Sequence, residues 1–186
     1  MKKIFLFFSI LFSAPVTAVF LTFLLSRGCE NFLQSLIFGI FAFSFVPIIV
    51  TVYYYKKGFV DIEVSERKKR TPIYLASIIS QMFAVFYFYS GCKLMLFLSL
   101  AFLINTIAVF LINLKYKVSA HAGNIAGIAT ILYLTYGNIA LPIYLLLIPI
   151  YALRIKLKAH TLGQLILGTI LAIVLTYVTY KIVFIK

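Results

Sequence analysis

The sequence predicts an all-α protein: a polytopic transmembrane helical bundle of about six to seven spans in a single membrane domain, residues 1–186. Hydrophobic residues make up 64% of the chain and charged residues only 11%, with a mean hydropathy of +1.11. Soluble domains carry about 25% charged residues. The apolar residues also lie in runs close to the ~20 residues that a membrane-spanning helix needs, and the charges lie between these runs.

The predicted spans are joined by short connections. Residues 1–55 hold two N-terminal spans, and residues 56–186 hold the others. The spans are 4–25, 32–55, 73–89, 94–114, a fifth that ends near Tyr136, 139–153 and 161–180. The first run also has the charged start and small residues of a secretory signal. Because apolar residues continue past Pro15 to Leu25, we favour an uncleaved first helix.

Three basic segments separate the later spans: residues 66–72, 117–123 and 154–164, here called the first, second and third basic segments. Because spans alternate in direction, the loops after spans two, four and six should reach the same membrane surface. Most of the 17 Lys and Arg residues lie on that surface, so the positive-inside rule predicts that it is cytoplasmic. A phosphate-binding site on that surface would also require cations, so the positive charges have two possible explanations. We expect a multi-pass protein of the cell (plasma or inner) membrane.

The net charge of +13 does not indicate a nucleic-acid partner. The charges form short caps between apolar runs rather than a basic groove lined with stacking aromatic rings. Membrane lipids are the predicted surroundings. Attraction to anionic lipid explains Lys68 and Lys69 without a specific site.

The two cysteines, Cys29 and Cys92, both lie in turns on the membrane surface opposite the basic segments. They lack the CxxC spacing of metal ligands, so no metal site is predicted. A disulfide between them requires Cα atoms within about 7 Å, and it would persist on the oxidising side of the membrane. Two unpaired cysteines in turns are the alternative.

Each basic segment contains residue types suited to phosphate chemistry. The third places five residues between Arg154 and His160, the second contains Ser119-Ala-His121, and the first contains Arg70-Thr-Pro72. This ordered set resembles the type 2 phosphatidic acid phosphatase superfamily, which includes the vanadium haloperoxidases. Its motifs are a basic stretch ending in Arg-Pro, then Ser-Gly-His, then Arg-x5-His-x3-Asp. The resemblance covers residues 63–168.

The resemblance implies a membrane phosphatase with a helical core of that superfamily, independent of metals and other cofactors. His160 would attack phosphorus and form a phosphohistidine, while His121 would protonate the leaving oxygen. The substrate would be a lipid or polyprenyl phosphate, either a phosphomonoester or a pyrophosphate. The residues implied in phosphate binding are Arg154, Ser119, Arg70 and Arg67.

Ala120 replaces the glycine of the second motif and Thr71 is inserted into Arg-Pro, but two other departures matter more for the chemistry. Glu63 stands where the pattern has a lysine, seven residues before Arg70, and Gln164 stands where it has an acid. Four residues after His160, Gln164 lies on the same helix face and can orient the imidazole through a neutral hydrogen bond. Asp61, Glu63 or Glu66 could instead supply a carboxylate to that histidine.

Other interpretations of the same residues stay open. Both histidines could cap helices at the lipid headgroup boundary. The protein could have lost catalysis and bind anionic lipid headgroups through its arginines, or it could transfer phosphate to another acceptor. Gly123 and Gly127 form a GxxxG pair that predicts close helix packing rather than chemistry.

Overall fold

Helices form all the regular structure of the protein over the residues that the computed structural model describes: the backbone of 2–185 and the side chains of 7–185. No strand occurs in this part of the chain, so the all-α prediction is confirmed. In chain order, the α-helices are α1 (Lys2–Leu11), α2 (Ala14–Ser26), α3 (Phe32–Ile40), α4 (Val46–Lys56), α5 (Thr71–Phe88), α6 (Lys93–Asn113), α7 (Ala120–Tyr136), α8 (Leu147–Lys156) and α9 (Leu162–Phe184).

One π-helical and two 3₁₀ segments connect or precede some of these helices. The π-helical segment Phe41–Phe45 joins α3 to α4 without a break. A 3₁₀ turn, Arg67–Arg70, leads into α5, and the 3₁₀ segment Gly137–Leu146 leads into α8. Pro142 lies inside the latter segment, where its missing N–H disfavours a regular α-helix.

Five helical stretches among the described residues are long and apolar enough to cross a membrane. They are Phe32–Lys56, Arg67–Phe88, Lys93–Asn113, Ala120–Lys156 and Leu162–Phe184, and Ala14–Ser26 is a shorter apolar helix. Large apolar side chains such as Phe83, Phe86 and Ile170 are exposed on the outside of the bundle, as expected for a surface that faces lipid. The chain therefore has the architecture of a multi-pass helical membrane protein.

The longest of these stretches folds back on itself. A straight helix of 37 residues would be ~55 Å long, well beyond a ~30 Å hydrocarbon core. Gly137, with φ of +76°, turns the chain at the end of α7. The hydroxyl groups of Thr130 and Tyr144 then meet at 2.8 Å across the hairpin. α8 consequently runs back along α7, as predicted from the turn after Tyr136, and its end lies beside the start of α7.

The first predicted span, residues 4–25, is two helices rather than one. α1 ends at Leu11, and α2 begins at Ala14 with Pro15 in its first turn, where the ring is compatible with a helix start but not with a continuous helix. The amide of Asn124 in α7 donates to the carbonyl oxygen of Phe12 at 3.3 Å and to Thr17 Oγ1 at 2.8 Å. α7 thus stabilises the break and fixes α1 against the bundle.

The starts of α7 and α9 lie in close contact. A Cβ atom added to Gly168 would lie 2.7 Å from the carbonyl oxygen of Ser119, so a larger residue does not fit there. A Cβ on Gly123 would lie 3.1 Å from the carbonyl oxygen of Gly168. The backbone N–H of Ser119 also donates to the carbonyl of Gln164 at 3.2 Å. The predicted packing role of Gly123 is confirmed, and the contact brings the second and third basic segments together.

At the other end of the bundle, Cys29 and Cys92 form a disulfide with a Cα–Cα distance of 5.3 Å. The bond joins the turn between α2 and α3 to the turn between α5 and α6. Of the two alternatives that the sequence leaves open, the structure shows the disulfide, while the side of the membrane on which it lies stays a prediction. Beside it, Leu25, Phe88 and Met95 are buried in the apolar core.

Candidate functional site

The three basic segments meet at one end of the bundle, as the alternation of spans predicted. Nη1 of Arg70 lies 3.4 Å from the carbonyl oxygen of Val118, which links the first segment to the second. The second segment is joined to the third by the bond between Ser119 and Gln164. Nη1 of Arg154 donates to Oε1 of Glu63 at 2.7 Å, which links the third segment to the loop before the first.

The spacing between Arg154 and His160 corresponds to a tight turn between α8 and α9. The carbonyl of Arg154 accepts hydrogen bonds from the N–H groups of Ala159 at 3.0 Å and His160 at 3.4 Å. Lys158 adopts a left-handed conformation with φ of 51°, which reverses the chain. Thr161 then caps α9. The turn therefore holds the arginine and the histidine side by side.

Gln164 fixes the tautomer of His160. Its Oε1 accepts from the backbone N–H of Thr161 at 3.3 Å, in a capping box at the start of α9. The same oxygen lies 3.0 Å from Nδ1 of His160, so Nδ1 must be the donor. The lone pair of the neutral ring is then on Nε2, the atom expected to act as the nucleophile. The predicted hydrogen bond between Gln164 and His160 is present, but the predicted shared helix face is not, because His160 precedes α9 and Gln164 lies in its first turn.

Burial and nearby positive charges keep the His160 imidazole neutral. Burial is the largest influence, and it lowers the pKa of His160 from 6.5 to about 4 together with the charges of Arg154, Arg70 and Lys117. The hydrogen bond with Gln164 opposes this shift. At neutral pH the ring is therefore unprotonated and lies near three cations, one of which, Lys117, was not among the predicted site residues.

Arg154 lies in a buried network with two residues from distant parts of the chain. Its side chain is only 3% exposed, and Nη1 donates to Oγ of Ser9 at 2.9 Å as well as to Glu63. The Ser9 hydroxyl in turn donates to the same carboxylate oxygen of Glu63. The possible pairing of a first-loop carboxylate with His160 is not found: Glu63 pairs with the arginine instead.

Glu63 remains ionised in this network. Desolvation alone would raise its pKa, but the hydrogen bonds from Ser9 and Arg154 and the charge of Arg154 outweigh it, so the pKa lies below 4.5. The Glu63 carboxylate is thus paired with the guanidinium group of Arg154, which the sequence analysis predicted to bind phosphate.

Sequence reasoning missed Ser9 altogether. Ser9 belongs to α1, outside the region of the resemblance, and its side chain is buried. A hydroxyl group inside an apolar run was the only signal, and Ser13 offers the same signal in the same run. Only the tertiary fold distinguishes the two residues.

His121 is bound to α1 rather than to its own helix. Its Nε2 lies 3.0 Å from the carbonyl oxygen of Ser9 and 3.2 Å from the Ser9 hydroxyl. A carbonyl oxygen only accepts, so the ring proton is on Nε2 and points at α1. The proton that His121 would give to a leaving group is therefore held at the end of α1.

The other predicted phosphate ligands have their own contacts. Ser119 is fully buried and caps α7, accepting from the N–H of Ala122 at 3.4 Å. Arg70 is 8% exposed and donates from Nε to the carbonyl of Val64 at 2.8 Å. Nη1 of Arg67 and Nε of Arg154 are buried, and neither atom has a hydrogen-bond partner among the described residues.

No group of three or more His, Cys, Asp or Glu side chains is arranged to hold a metal ion within residues 2–185. Comparisons with models of known protein families, with curated proteins and with solved structures found no match to this chain. The geometry of the basic segments is consequently the basis for assigning a function.

Proposed function

We propose that the protein is an integral-membrane lipid phosphatase that cleaves a lipid or polyprenyl phosphate through a phosphohistidine. The observation that carries this proposal is His160: a buried, neutral imidazole whose Nδ1 is bound by Gln164 and whose Nε2 carries the lone pair, near three cations. A nucleophilic nitrogen surrounded by cations suits attack on a phosphate, because the cations stabilise the added negative charge of the transition state.

Two arginine atoms further support an anionic ligand. Buried polar groups nearly always have a hydrogen-bond partner, and an unpaired one calls for an explanation. Nε of Arg154 and Nη1 of Arg67 have none among the described residues. Phosphate oxygens would satisfy such donors, and guanidinium groups bind phosphate in this way in many proteins.

The reaction has two steps. Nε2 of His160 attacks phosphorus as the bond from phosphorus to the lipid oxygen breaks, and the lipid oxygen takes a proton from His121, which must be an imidazolium at this step and becomes neutral. Water then attacks phosphorus and gives a proton to His121, the bond between phosphorus and Nε2 of His160 breaks, and inorganic phosphate leaves. In the first step His121 must exchange its hydrogen bond with Ser9 for one with the substrate.

An amphiphilic substrate fits the location of the site. The basic segments lie at one end of an apolar bundle, so a lipid could keep its tail in the bilayer while its phosphate reaches His160. We propose that the fold is the helical core of the type 2 phosphatidic acid phosphatase superfamily, with about six to seven spans. The proposed site lies on the cytoplasmic surface of the cell membrane, in line with the positive-inside rule.

The test is release of inorganic phosphate by the purified full chain in nanodiscs that contain single lipid phosphates: phosphatidic acid, a polyprenyl phosphate and a polyprenyl pyrophosphate. We expect release from at least one of them, none after His160→Ala, and wild-type rates after Lys68→Ala, a matched change at an exposed cation. Equal rates in wild type and His160→Ala would refute the assignment.

A second function is favoured by two specific observations. Glu63 already pairs with Arg154, and Gln164 cannot stabilise an imidazolium by charge. A protein that binds anionic headgroups without cleaving them would have these features. Saturable binding of phosphatidic acid nanodiscs with no phosphate release from any lipid would favour this function over catalysis.

A further inference from the structure

The loop before the first basic segment forms a tight turn that occupies both buried arginines. Within the turn, Asp61 accepts from the N–H of Ser65 at 2.6 Å and from its hydroxyl at 2.5 Å. Two adjacent residues of the turn then contact the arginines: the carboxylate of Glu63 binds Arg154, and the carbonyl of Val64 binds the Nε of Arg70. The turn therefore satisfies donors in two groups that the proposed function assigns to phosphate.

The surroundings of the Glu63 carboxylate are those of a phosphate oxygen. Oε1 receives hydrogen bonds from a guanidinium group and from the Ser9 hydroxyl. Both donors bind phosphate oxygens equally well, because a carboxylate and a phosphate present the same kind of charged acceptor. Ser9 is buried and comes from a helix outside the sequence motifs, so nothing in the motifs assigns it a role.

We propose that Arg154 and Ser9 form a phosphate-oxygen subsite, and that Glu63 occupies this subsite until the phosphate of a substrate displaces it. Ser9 is then a substrate-binding residue, which donates its hydroxyl to phosphate in place of Glu63. This inference rests on the proposed function, since it names a further ligand of the same substrate.

Two features of the turn favour its release from the arginines. The side chain of Glu63 is 22% exposed while that of Arg154 is 3% exposed, so Glu63 lies on the water side of the pair. Val64 has a φ of 48°, a conformation that costs a β-branched residue energy and is retained only when its surroundings enforce it. Release from the two arginines removes that constraint. Gly58, at φ of 70°, provides a flexible start to the loop.

Hydrogen exchange tests the displacement without changing the turn. The full-length His160→Ala protein, which binds but cannot turn over, is placed in phosphatidylcholine nanodiscs with inorganic phosphate, or with chloride at the same ionic strength. A third sample has phosphatidic acid in the nanodisc. We expect exchange in the turn, at the amides of Val64 and Ser65, to be about tenfold faster with either phosphate source than with chloride. Release by phosphatidic acid alone identifies the lipid headgroup as the ligand, and release by inorganic phosphate shows that the phosphate group suffices.

Binding of inorganic phosphate to variants in the same background tests the two residues separately. Glu63→Gln should tighten binding about tenfold because it removes a competing charge, and Ser9→Ala should weaken it by a similar factor. Ser13→Ala, the same change in the same apolar run, should leave it unchanged. If Glu63→Gln does not fold, the exchange experiment still decides.

Binding of either phosphate source with an unaltered turn, or an absence of binding of both inorganic phosphate and phosphatidic acid, would overturn the inference. Unchanged affinity in Ser9→Ala would overturn the role of Ser9. The proposed function fails separately: displacement of the turn by phosphate, with no hydrolysis of any lipid phosphate by the wild-type protein, supports the subsite and refutes the phosphatase.

Discussion

The two histidines of the protein are held in contrasting ways. His160, which lies just before α9, is oriented by Gln164 in the first turn of that helix, whereas His121 is oriented by Ser9, 112 residues away. The first arrangement is local and leaves Nε2 with its lone pair. The second depends on the packing of α1 and places the ring proton of Nε2 on a backbone carbonyl. A nucleophile fixed by a residue close in sequence and an acid fixed by a distant helix should respond differently to mutation.

The largest difference is expected when each histidine is removed. Loss of a nucleophile costs as much as ~10⁶ in kcat, whereas loss of a general acid costs 10²–10⁴. His160→Ala should therefore abolish phosphate release, and His121→Ala should retain a measurable rate of about 10⁻³ of the wild-type rate. Single-turnover assays in nanodiscs measure both. Equal losses would break the distinction between a nucleophile and an acid.

The next effect concerns the partner of His160. Gln164→Asp supplies the carboxylate that stabilises an imidazolium, and loss of such a group from a triad can cost ~10⁴. We expect the rate to rise by about tenfold or more, within that range. Gln164→Ala, which leaves Nδ1 without its partner, should lower the rate and is the matched control. An increase in both variants would show that Gln164 does not orient His160.

A smaller effect should appear in the pH profile. The neutral form of His160 is the active one, and its pKa of about 4 lies below the ordinary 6.5. After allowance for the ionisation of the substrate and of the acid His121, kcat/KM should stay level as the pH falls through 6.5 and decrease only towards pH 4. Gln164→Asp should move this acid limb upwards, because a carboxylate favours the protonated ring. A decrease in the kcat/KM of the wild-type protein near pH 6.5 would contradict the lowering of the His160 pKa by burial and nearby cations.

The same pKa sets a stability effect of known sign. Unfolded His160 takes up a proton near pH 6.5, while the folded residue resists it until about pH 4. The unfolded state therefore binds more protons in this interval, and the free energy of unfolding should decrease as the pH falls from 6.5 to 4. His160→Ala should remove this part of the pH dependence, as measured by thermal unfolding across the range.

The smallest effect separates the two histidines spectroscopically. Ser9→Ala removes hydrogen bonds to charged groups, each contributing about 1.5–3 kcal/mol in buried sites. We expect the free energy of unfolding to fall by a few kcal/mol and the ¹⁵N imidazole spectrum of His121 to change, with that of His160 unchanged. Ser13→Ala should alter neither ring. A change at His160 would show that the two sites are coupled through Arg154.

This contrast also explains which features the sequence could predict. The helical membrane fold and the convergence of the basic segments follow from apolar runs and alternation. The pairing of Gln164 with His160 was predicted from helical periodicity, but it arises from a capping box at the start of α9, which His160 precedes. The contacts of Glu63 and Ser9 do not, because they depend on where the ends of separate helices meet. The break between α1 and α2 could not be predicted from Pro15 alone, because a proline can either bend or break a helix. Asn124, which is distant in sequence, stabilises the break.

The disulfide has a consequence for biogenesis. Thiols join only where the compartment is oxidising, so the bond between Cys29 and Cys92 can close in one orientation of the chain and not in the inverted one. A crosslink over 63 residues restricts the unfolded ensemble substantially. Chains inserted with the basic end outside would lack this stabilisation. The redox state of the bond would therefore report which way each molecule was inserted.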